Sequence, residues 1–150
     1  EGKALNTISE VIDLATLAIS AEAVGIMQKM NELTLDYTKT REQFGQALSK
    51  FQALQHRMVD TFMVHEQTKS LLLMAAAKMN DKAADTSKSI SALKYQIGSA
   101  AKLIGEESIQ LHGGMGVTEE MSIGHYFKRL TTIRTIFGNS DYHLKRYSSL

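Results

Sequence analysis

Apolar residues recur at helical spacing along most of the chain. From Ile8 onward they follow one another every three or four positions, and only Glu22 interrupts the series with a polar side chain. This first stripe consists of Ile8, Val11, Ile12, Ala15, Ile19, Ala23, Ile26, Met30, Leu33 and Tyr37. It predicts a first helix of about thirty residues, a usual length in a helical bundle.

The same periodicity predicts two further long helices. A charged segment with one glycine, TKTREQFGQALSK at 38–50, ends the first stripe. The second helix carries Phe51, Leu54, Met58, Phe62, Leu72, Ala76 and Met79 on one side, and its apolar run at 71–77 is predicted to be fully buried. A polar turn at 80–88 offers Asp85 or Thr86 as the N-cap of the third helix. The third stripe is Ile90, Leu93, Ile97, Ala101, Ile104 and Leu111, and this helix is predicted to end at Gly113.

A fourth helix and a short fifth helix complete the prediction. Thr118 is placed to cap the fourth helix, with two glutamates in its first turn. Its inner stripe is Tyr126, Leu130, Ile133 and Phe137, and Gly138 and Asn139 are predicted to stop it. Residues 140–150 can form a last short helix. No strand pattern and no internal repeat is visible, so the predicted fold is all-α: an antiparallel four-helix up-and-down bundle with a short C-terminal helix.

Composition narrows the class of protein. The chain has 150 residues, 43% of them hydrophobic, which fits one domain with a core. Its 17 basic and 16 acidic residues leave no broad basic face for nucleic acid. Without cysteine there is no thiolate metal site and no cysteine nucleophile. No signal peptide and no apolar run of ~18 residues is present, so we expect no membrane span and an intracellular location, cytoplasmic in a bacterium or in another compartment. The first residue is Glu1 rather than Met, which suggests a piece of a longer chain.

The five histidines do not form a metal-binding pattern. They stand at positions 56, 65, 112, 125 and 143, and no two share the three- or four-residue spacing that places ligands on one helix face. A di-iron bundle also needs Glu-x-x-His pairs, and neither Glu66 nor Glu106 has a histidine three residues later. We therefore expect no metal, and histidines that lie at the surface or at helix ends.

Two segments are candidates for ligand binding. Gly113, Gly114 and Gly116 lie within four residues, but no strand precedes them, so they are not a dinucleotide fingerprint. They can be a helix C-cap and tight turn, or they can bring backbone N–H groups close to an anion or a flat ring. Arg41, with Phe44 and Gly45 nearby, can be a solvated loop charge, or its guanidinium can bind a pyrophosphate beside an aromatic face.

Together, these segments resemble the C-terminal domain of the acyl-CoA dehydrogenase family. The resemblance extends from about Ile8 to Tyr147. It rests on AVGIMQ at 23–28, YTKTREQFGQALSKFQALQHRMVD at 37–60, and IQLHGGMGVTEE at 109–120. It implies that this domain is the last part of a three-domain flavoprotein that uses FAD to desaturate acyl-CoA thioesters in fatty acid metabolism. It also implies a homo- or hetero-oligomer, a dimer or tetramer, in which the helical bundles of neighbouring subunits pack together.

The resemblance assigns roles to individual positions. Arg41 and Phe44 match the pair that meets the pyrophosphate and adenosine of FAD, and Gln52 matches a further FAD contact. Gln110, Gly113 and Gly114 match the segment that approaches FAD bound mainly by another subunit. The glycines are then expected both to stop the third helix and to turn spare N–H groups towards phosphate or adenine.

The family's catalytic base is missing from its usual positions. Most members place a Glu where this chain has Gly138, and others place it on the first helix beside an Arg, where this chain has Ala15 and Thr16. Asp141 is the nearest substitute carboxylate, although about one helical turn away. Glu10, Asp13, Glu106 and Glu107 are expected to be solvated charges.

Three hypotheses about function follow from the missing base. The whole protein is an acyl-CoA dehydrogenase with an unusual base, the non-catalytic partner subunit of a heteromeric one, or a helical scaffold without flavin.

Overall fold

The computed structural model describes residues 4–150, which form five α-helices and one small β-hairpin. The helices are α1 (Ala4–Thr40), α2 (Gln52–Asn80), α3 (Thr86–His112), α4 (Ser122–Ile133) and α5 (Ser140–Ser149). The strands are β1 (Glu42–Gln43) and β2 (Gln46–Ala47), and short 3₁₀ turns occupy Leu48–Lys50 and Gly113–Val117. The predicted all-α bundle with a short C-terminal helix is confirmed.

Helix α3 lies at the centre of the bundle. It packs against α1, α2, α4 and α5, and its apolar stripe is fully or almost fully buried from Ile90 to Ile104. The facing core residues are Ala23, Met27 and Met30 of α1, Ala75 of α2, and Ile123, Leu130 and Ile133 of α4. Because α3 is enclosed on several sides, its C-terminal end is held at a fixed place among the other helices.

The sequence did not predict the two strands, which a two-residue turn connects. Glu42 pairs with Ala47 and Gln43 with Gln46 in antiparallel register. Phe44 and Gly45, between them, have φ values of 55° and 79°. Positive φ at both turn residues gives the twist that tight hairpins prefer. The expectation of a chain without strands was therefore wrong at this one point, since strands of two residues are too short to show alternation.

The beginning of α3 agrees with the prediction, whereas both ends of α4 differ from it. Asp85 takes the N-cap position of α3, but its side chain makes no capping hydrogen bond and instead pairs with Lys78. Helix α4 begins at Ser122, because the Thr118 hydroxyl donates to the carbonyl of Met115 in the preceding 3₁₀ turn. It ends at Ile133, four residues early, and Asn139 caps α5 rather than ending α4.

Buried polar residues on α1 contradict the simple apolar stripe. Asp13 was expected to be solvated but is only 3% exposed. Its carboxylate accepts hydrogen bonds from Nη1 and Nη2 of Arg146 at 2.7 and 2.9 Å, and from Oγ of Ser87 at 2.6 Å. The other buried polar residues of α1 are Thr16, Ser20, Thr34 and Thr38. The Asp13–Arg146 pair joins α1 to α5, and the hydrogen bond from Ser87 to Asp13 also connects α3 to this pair.

Several apolar residues predicted to face the core are exposed. Within the 71–77 run, Leu73 and Met74 are 62% and 41% exposed, so the prediction of a fully buried segment was wrong. Other exposed members of the predicted stripes are Ile8, Val11, Ile12, Phe62 and Phe137. Helix α2 instead buries Thr61, His65, Thr68 and Ala75. Small polar side chains can take such positions because their hydroxyls bond to carbonyls of the same helix, as Thr68 does with Val64.

Candidate functional site

A cleft of about 470 Å³ opens where the ends of α1 and α3 meet the start of α2. It brings together four residues that the sequence placed in separate segments, Arg41, Gln110, Gly113 and Gly114. The other lining residues are Tyr37, Gln43, Leu48, Leu54, Arg57, Leu111, His112 and Met115. The twelve lining residues include two arginines and no acidic residue. Such a cleft favours an anionic ligand.

The backbone at Arg41 is fixed on both sides. Its N–H donates to the carbonyl of Tyr37 at 2.8 Å, and its own carbonyl accepts from the N–H of Leu48 at 2.8 Å. The side chain is exposed and forms no salt bridge within residues 4–150. The guanidinium is therefore held at the mouth of the cleft with its donors available to a ligand.

The three glycines after α3 have different structural roles. Gly113 has φ of +59°, and its N–H donates to the carbonyl of Gln110, so it ends the helix as predicted. That N–H is committed, which corrects the expectation that it is spare. A Cβ on Gly116 would lie 2.8 Å from the Ile109 carbonyl oxygen, so close packing requires glycine there. A Cβ on Gly114 would meet no atom within 4 Å. The same is true of Gly113, so open space at the cleft lies beside both residues, and Gly114 is the one of the two without a positive φ.

His112 forms part of the cleft wall and was not predicted as a site residue. Its ring stacks on Tyr37 with centroids 4.4 Å apart, and the Tyr37 hydroxyl donates to the His112 carbonyl. Nδ1 lies 2.8 Å from the carbonyl oxygen of Ser108, which can only accept, so the proton of the neutral ring is on Nδ1. Burial lowers the pKa of His112 below its usual value, so the ring is neutral at pH 7. Nε2 is an acceptor without a partner in residues 4–150.

Arg57 was also missed by the sequence analysis. Its Nε donates to Oε2 of Glu107 at 2.5 Å, across the gap between α2 and α3. Glu107 was expected to be a solvated charge, but its side chain is 24% exposed and paired. An arginine in the middle of a helix looks like an ordinary surface residue in the sequence, and only the packing of α2 on α3 places it in the cleft.

A second region of interest is the turn between α4 and α5. Gly138 has φ of +101°, and a Cβ built on it would overlap the Tyr142 ring, with Cε1 of Tyr142 3.0 Å away and Nε2 of His143 3.1 Å away. Nε2 of His143 is 2.9 Å from the carbonyl oxygen of Phe137. Oδ1 of Asn139 accepts from the N–H of Tyr142 at 2.9 Å. The turn is therefore fixed by several side chains, and a side chain at 138 would have to displace the Tyr142 ring, which is 54% exposed.

Buried Lys94 of α3 holds the same turn from below. Its Nζ donates to the carbonyl oxygens of Ile133 at 2.9 Å, Arg134 at 3.4 Å and Gly138 at 3.1 Å. The residue is 1% exposed, and burial lowers the pKa of Lys94 to about 8. Carbonyls left free at the end of α4 thus find a donor in the core.

Comparison with known proteins decides the family. The family described as "Acyl-CoA dehydrogenase, C-terminal domain" matches residues 3–148. The chain belongs to the acyl-CoA dehydrogenase family. "Acyl-CoA dehydrogenase IpdE2" of Mycolicibacterium smegmatis is 34% identical over 135 residues, covering 89% of this chain and 41% of that protein. The chain thus spans less than half the length of this relative.

Two solved structures resemble this acyl-CoA dehydrogenase domain closely. The "Tcur3481-Tcur3483 steroid ACAD", solved as a glycine-to-alanine variant, has a TM-score of 0.92 at 29% identity and covers 99% of this chain and 40% of its own. The structure of "PigA with FAD and proline" has a TM-score of 0.86 at 28% identity and covers 92% and 36%.

Two of the residues assigned by family resemblance lie outside the cleft. Phe44 is 91% exposed at the tip of the hairpin, where its ring meets the edge of Phe51 with centroids 6.2 Å apart. Gln52 is exposed at the first residue of α2. Neither lines the cleft of the acyl-CoA dehydrogenase domain, although Phe44 adjoins the lining residue Gln43.

The positions connected with the family's base carry no carboxylate enclosed by this domain. Thr16 is buried, and its hydroxyl donates to the carbonyl of Ile12 at 2.7 Å. Ala15 is partly buried on the same helix. Asp141 is exposed in the first turn of α5, where a carboxylate favours the helix N-terminus.

The histidines of this acyl-CoA dehydrogenase domain divide into buried and exposed groups. His56 and His125 are exposed, while His112 and His143 lie near helix ends and bond to backbone carbonyls. His65 is buried in the middle of α2, which contradicts the expectation for that residue. Among residues 4–150, no group of three His, Asp or Glu side chains could hold a metal ion. No helix in this range is long and apolar enough to cross a membrane.

Proposed function

We propose that the full-length protein is an FAD-dependent acyl-CoA dehydrogenase inside the cell, and that this domain is the last of its three. The domain would supply the cleft that binds the diphosphate and adenosine of FAD. The observation that carries the proposal is the convergence of Arg41, Gln110, Gly113 and Gly114 on one cleft. These residues come from segments about seventy positions apart in the sequence and line the same cleft.

The residues present fit such a cofactor. A diphosphate carries negative charge, and the cleft lining offers guanidinium groups without a carboxylate. The open space at Gly114 allows the backbone to approach a ligand closely. PigA, a relative of similar fold, has been solved with FAD and proline.

This chain's residues bind and orient but do not take the substrate's proton. FAD, when bound, supplies the acceptor for the hydride that leaves the β-carbon of an acyl-CoA thioester. Removal of the α-proton needs a side chain with a free lone pair within hydrogen-bond distance. Gly138 has no side chain, and the Thr16 hydroxyl is fully buried inside the bundle, where it donates to the Ile12 carbonyl. Asp141 projects from the surface of α5, one turn beyond the position of the usual base.

We further propose that the protein is a non-catalytic subunit of a heteromer with a homologue that carries the base. The supporting observation is that the Tyr142 ring occupies the space beside Gly138, where the side chain of the usual base would begin. The relative with 29% identity has a two-component name, Tcur3481-Tcur3483. In this arrangement the helical bundles of two or more subunits would pack so that each cleft meets cofactor held mainly by a neighbour.

The test compares the full-length protein alone with the protein co-expressed with a Glu-bearing homologue. We expect no desaturation alone, and flavin retention and turnover in the mixture. Arg41→Ala should weaken FAD binding about tenfold or more, since hydrogen bonds to a charged group contribute ~1.5–3 kcal/mol. The matched control is Arg129→Ala, which removes an exposed arginine outside the cleft. Equal flavin occupancy in the Arg41 variant would refute the assignment. Turnover by the protein alone would exclude the non-catalytic role, and a protein colourless with every partner would favour a scaffold.

A further inference from the structure

Three arginine–carboxylate ion pairs occur within residues 4–150, and one differs from the others. Arg146 uses both terminal nitrogens to bind Asp13. Arg129 uses Nε and one terminal nitrogen to bind both oxygens of Glu22, at 2.6 and 2.8 Å.

Arg57 uses only Nε, which donates to one oxygen of Glu107. Both of its terminal NH₂ groups, with four N–H donors, are therefore not used in this pair.

The Arg57–Glu107 pair lies at the cleft, so the unused donors of Arg57 are near a bound ligand. Arg57 lines the same cleft as Arg41, on the wall formed by α2. Glu107 lies on α3, one helical turn before Gln110, which also lines the cleft. The side chains of Arg57 and Glu107 are 37% and 24% exposed, so the pair is partly shielded from water. A carboxylate that binds Nε fixes the plane of the guanidinium while leaving its far edge free.

We propose that Arg57 is a second ligand-binding guanidinium of the cleft, and that Glu107 is its positioning residue. This inference rests on the proposed function and extends it to a residue that family resemblance does not assign. Arg41 on the α1 side and Arg57 on the α2 side bind a ligand with two adjacent phosphates from opposite walls. The ligand class is an adenine dinucleotide or another adenosine diphosphate, in preference to a nucleotide with one phosphate.

The charges of the cleft support two phosphate contacts. The lining contains two guanidiniums and no acid, and Glu107 offsets one of these charges from behind. One guanidinium would satisfy a single phosphate, because its fork matches two oxygens. A second one on the facing wall stabilises a further anionic group and orients the diphosphate along the cleft.

The experiment uses the full-length protein assembled with its partner and stripped of flavin, titrated with FAD, ADP and AMP. Arg57→Met should weaken binding of FAD and ADP about tenfold or more and that of AMP less. Arg57→Lys keeps the positive charge but loses the forked donor geometry of the guanidinium. Its affinity for FAD and ADP should lie between that of the wild type and that of Arg57→Met. ADP affinity should also decrease less steeply with added salt in Arg57→Met than in the wild type. Arg129→Met removes the other arginine–glutamate pair, outside the cleft, and should change none of these values.

A double-mutant cycle tests the positioning role. Glu107→Gln should weaken ADP binding when Arg57 is present and have no effect in the Arg57→Met background. Equal losses in both backgrounds would show that Glu107 acts only on structure.

Wild-type ADP affinity in Arg57→Met, together with weakened binding in Arg41→Ala, would overturn this inference and leave the proposed function intact. If the wild-type assembly binds neither FAD nor ADP, the proposed function fails, and this inference fails with it.

Discussion

The ring of Tyr142 occupies the space that a side chain on Gly138 would need. A Cβ at 138 would overlap Cδ1 of Tyr142 and lie 3.1 Å from Nε2 of His143. The backbone of Tyr142 is fixed in the first turn of α5, where its N–H donates to Oδ1 of Asn139, while its ring is 54% exposed. The two positions are thus coupled: glycine at 138 permits this position of the tyrosine ring, and a larger residue at 138 would have to displace the ring.

The first prediction concerns Gly138→Ala. Its φ of +101° costs a non-glycine residue about 1–3 kcal/mol, and overlap with the Tyr142 ring adds about 1–3 kcal/mol. The unfolding midpoint of the full-length chain should fall accordingly. Gly45→Ala is the matched control, because Gly45 has φ of +79° with no atom within 4 Å of its Cβ position and so reports strain alone. Adding Tyr142→Ala to Gly138→Ala should restore the part of the stability loss that exceeds the loss in Gly45→Ala. If it restores no stability, the overlap with the ring does not contribute.

The second prediction separates two neighbouring glycines. Gly114→Ala should leave stability nearly unchanged and weaken FAD retention, because its Cβ projects into open space at the cleft. Gly116→Ala should lower stability by about 1–3 kcal/mol, because its Cβ would press on the Ile109 carbonyl. Thermal unfolding and flavin content measured on both variants check the pair. A large stability loss in Gly114→Ala would contradict this account of the glycines.

The third prediction is a loss of stability in mild acid. Burial lowers the pKa of both His112 and His143 below the usual 6.5, so the unfolded chain binds more protons than the folded chain below that pH. The stability contributed by the neutral rings is complete above about pH 6.5 and decreases as pH falls through the folded pKa values. His112→Phe keeps a ring beside Tyr37 and should flatten the pH dependence of the unfolding free energy by up to ~1.4 kcal/mol per pH unit.

His56→Gln is the control for that pH measurement. His56 is exposed, and its replacement keeps both buried rings, so the loss of stability in acid should persist. An unaltered slope in His112→Phe would show that His112 is not buried in the neutral form.

The fourth prediction concerns the ion pair between α1 and α5. Asp13→Asn should cost about 3–5 kcal/mol, because it leaves the Arg146 guanidinium partly buried beside a neutral amide. Asp13→Asn combined with Arg146→Met should be less destabilising than the sum of the two single changes. Glu22→Gln is the control, since it disturbs an exposed pair that contributes ~1 kcal/mol or less. Strict additivity of the Asp13 and Arg146 variants would exclude the coupling.

The sequence predicted those features of the fold that depend on residues close together in the chain. It did not predict features that depend on contacts between distant residues. Helix α3 was predicted well because its apolar stripe is buried on several sides and Gly113 marks its end with positive φ. The burial of Asp13 could not be predicted, because its partner Arg146 is 133 residues away. At the start of α4, Thr118 was a plausible local signal, but its hydroxyl bonds within the preceding 3₁₀ turn and the helix begins at Ser122.

The same distinction applies to the candidate site. Arg41 and the glycines were found because a motif carries them on short segments. Arg57 and His112 lie on the same motif segments, 37–60 and 109–120, but were not singled out, because their place in the cleft wall is set by the packing of α2 and α3 against the end of α1. Phe44 and Gln52 show the converse, since the motif includes them but the fold leaves both exposed outside the cleft.

The closed turn at Gly138 also bears on how this lineage can change. An acidic residue gained there by one mutation meets the tyrosine ring and a strained backbone, so it brings a fitness cost before it brings any benefit. Loss of the ring must come first, and alone it confers no chemistry. A carboxylate at position 138 is therefore reached through two ordered changes, the first of which brings no chemistry of its own.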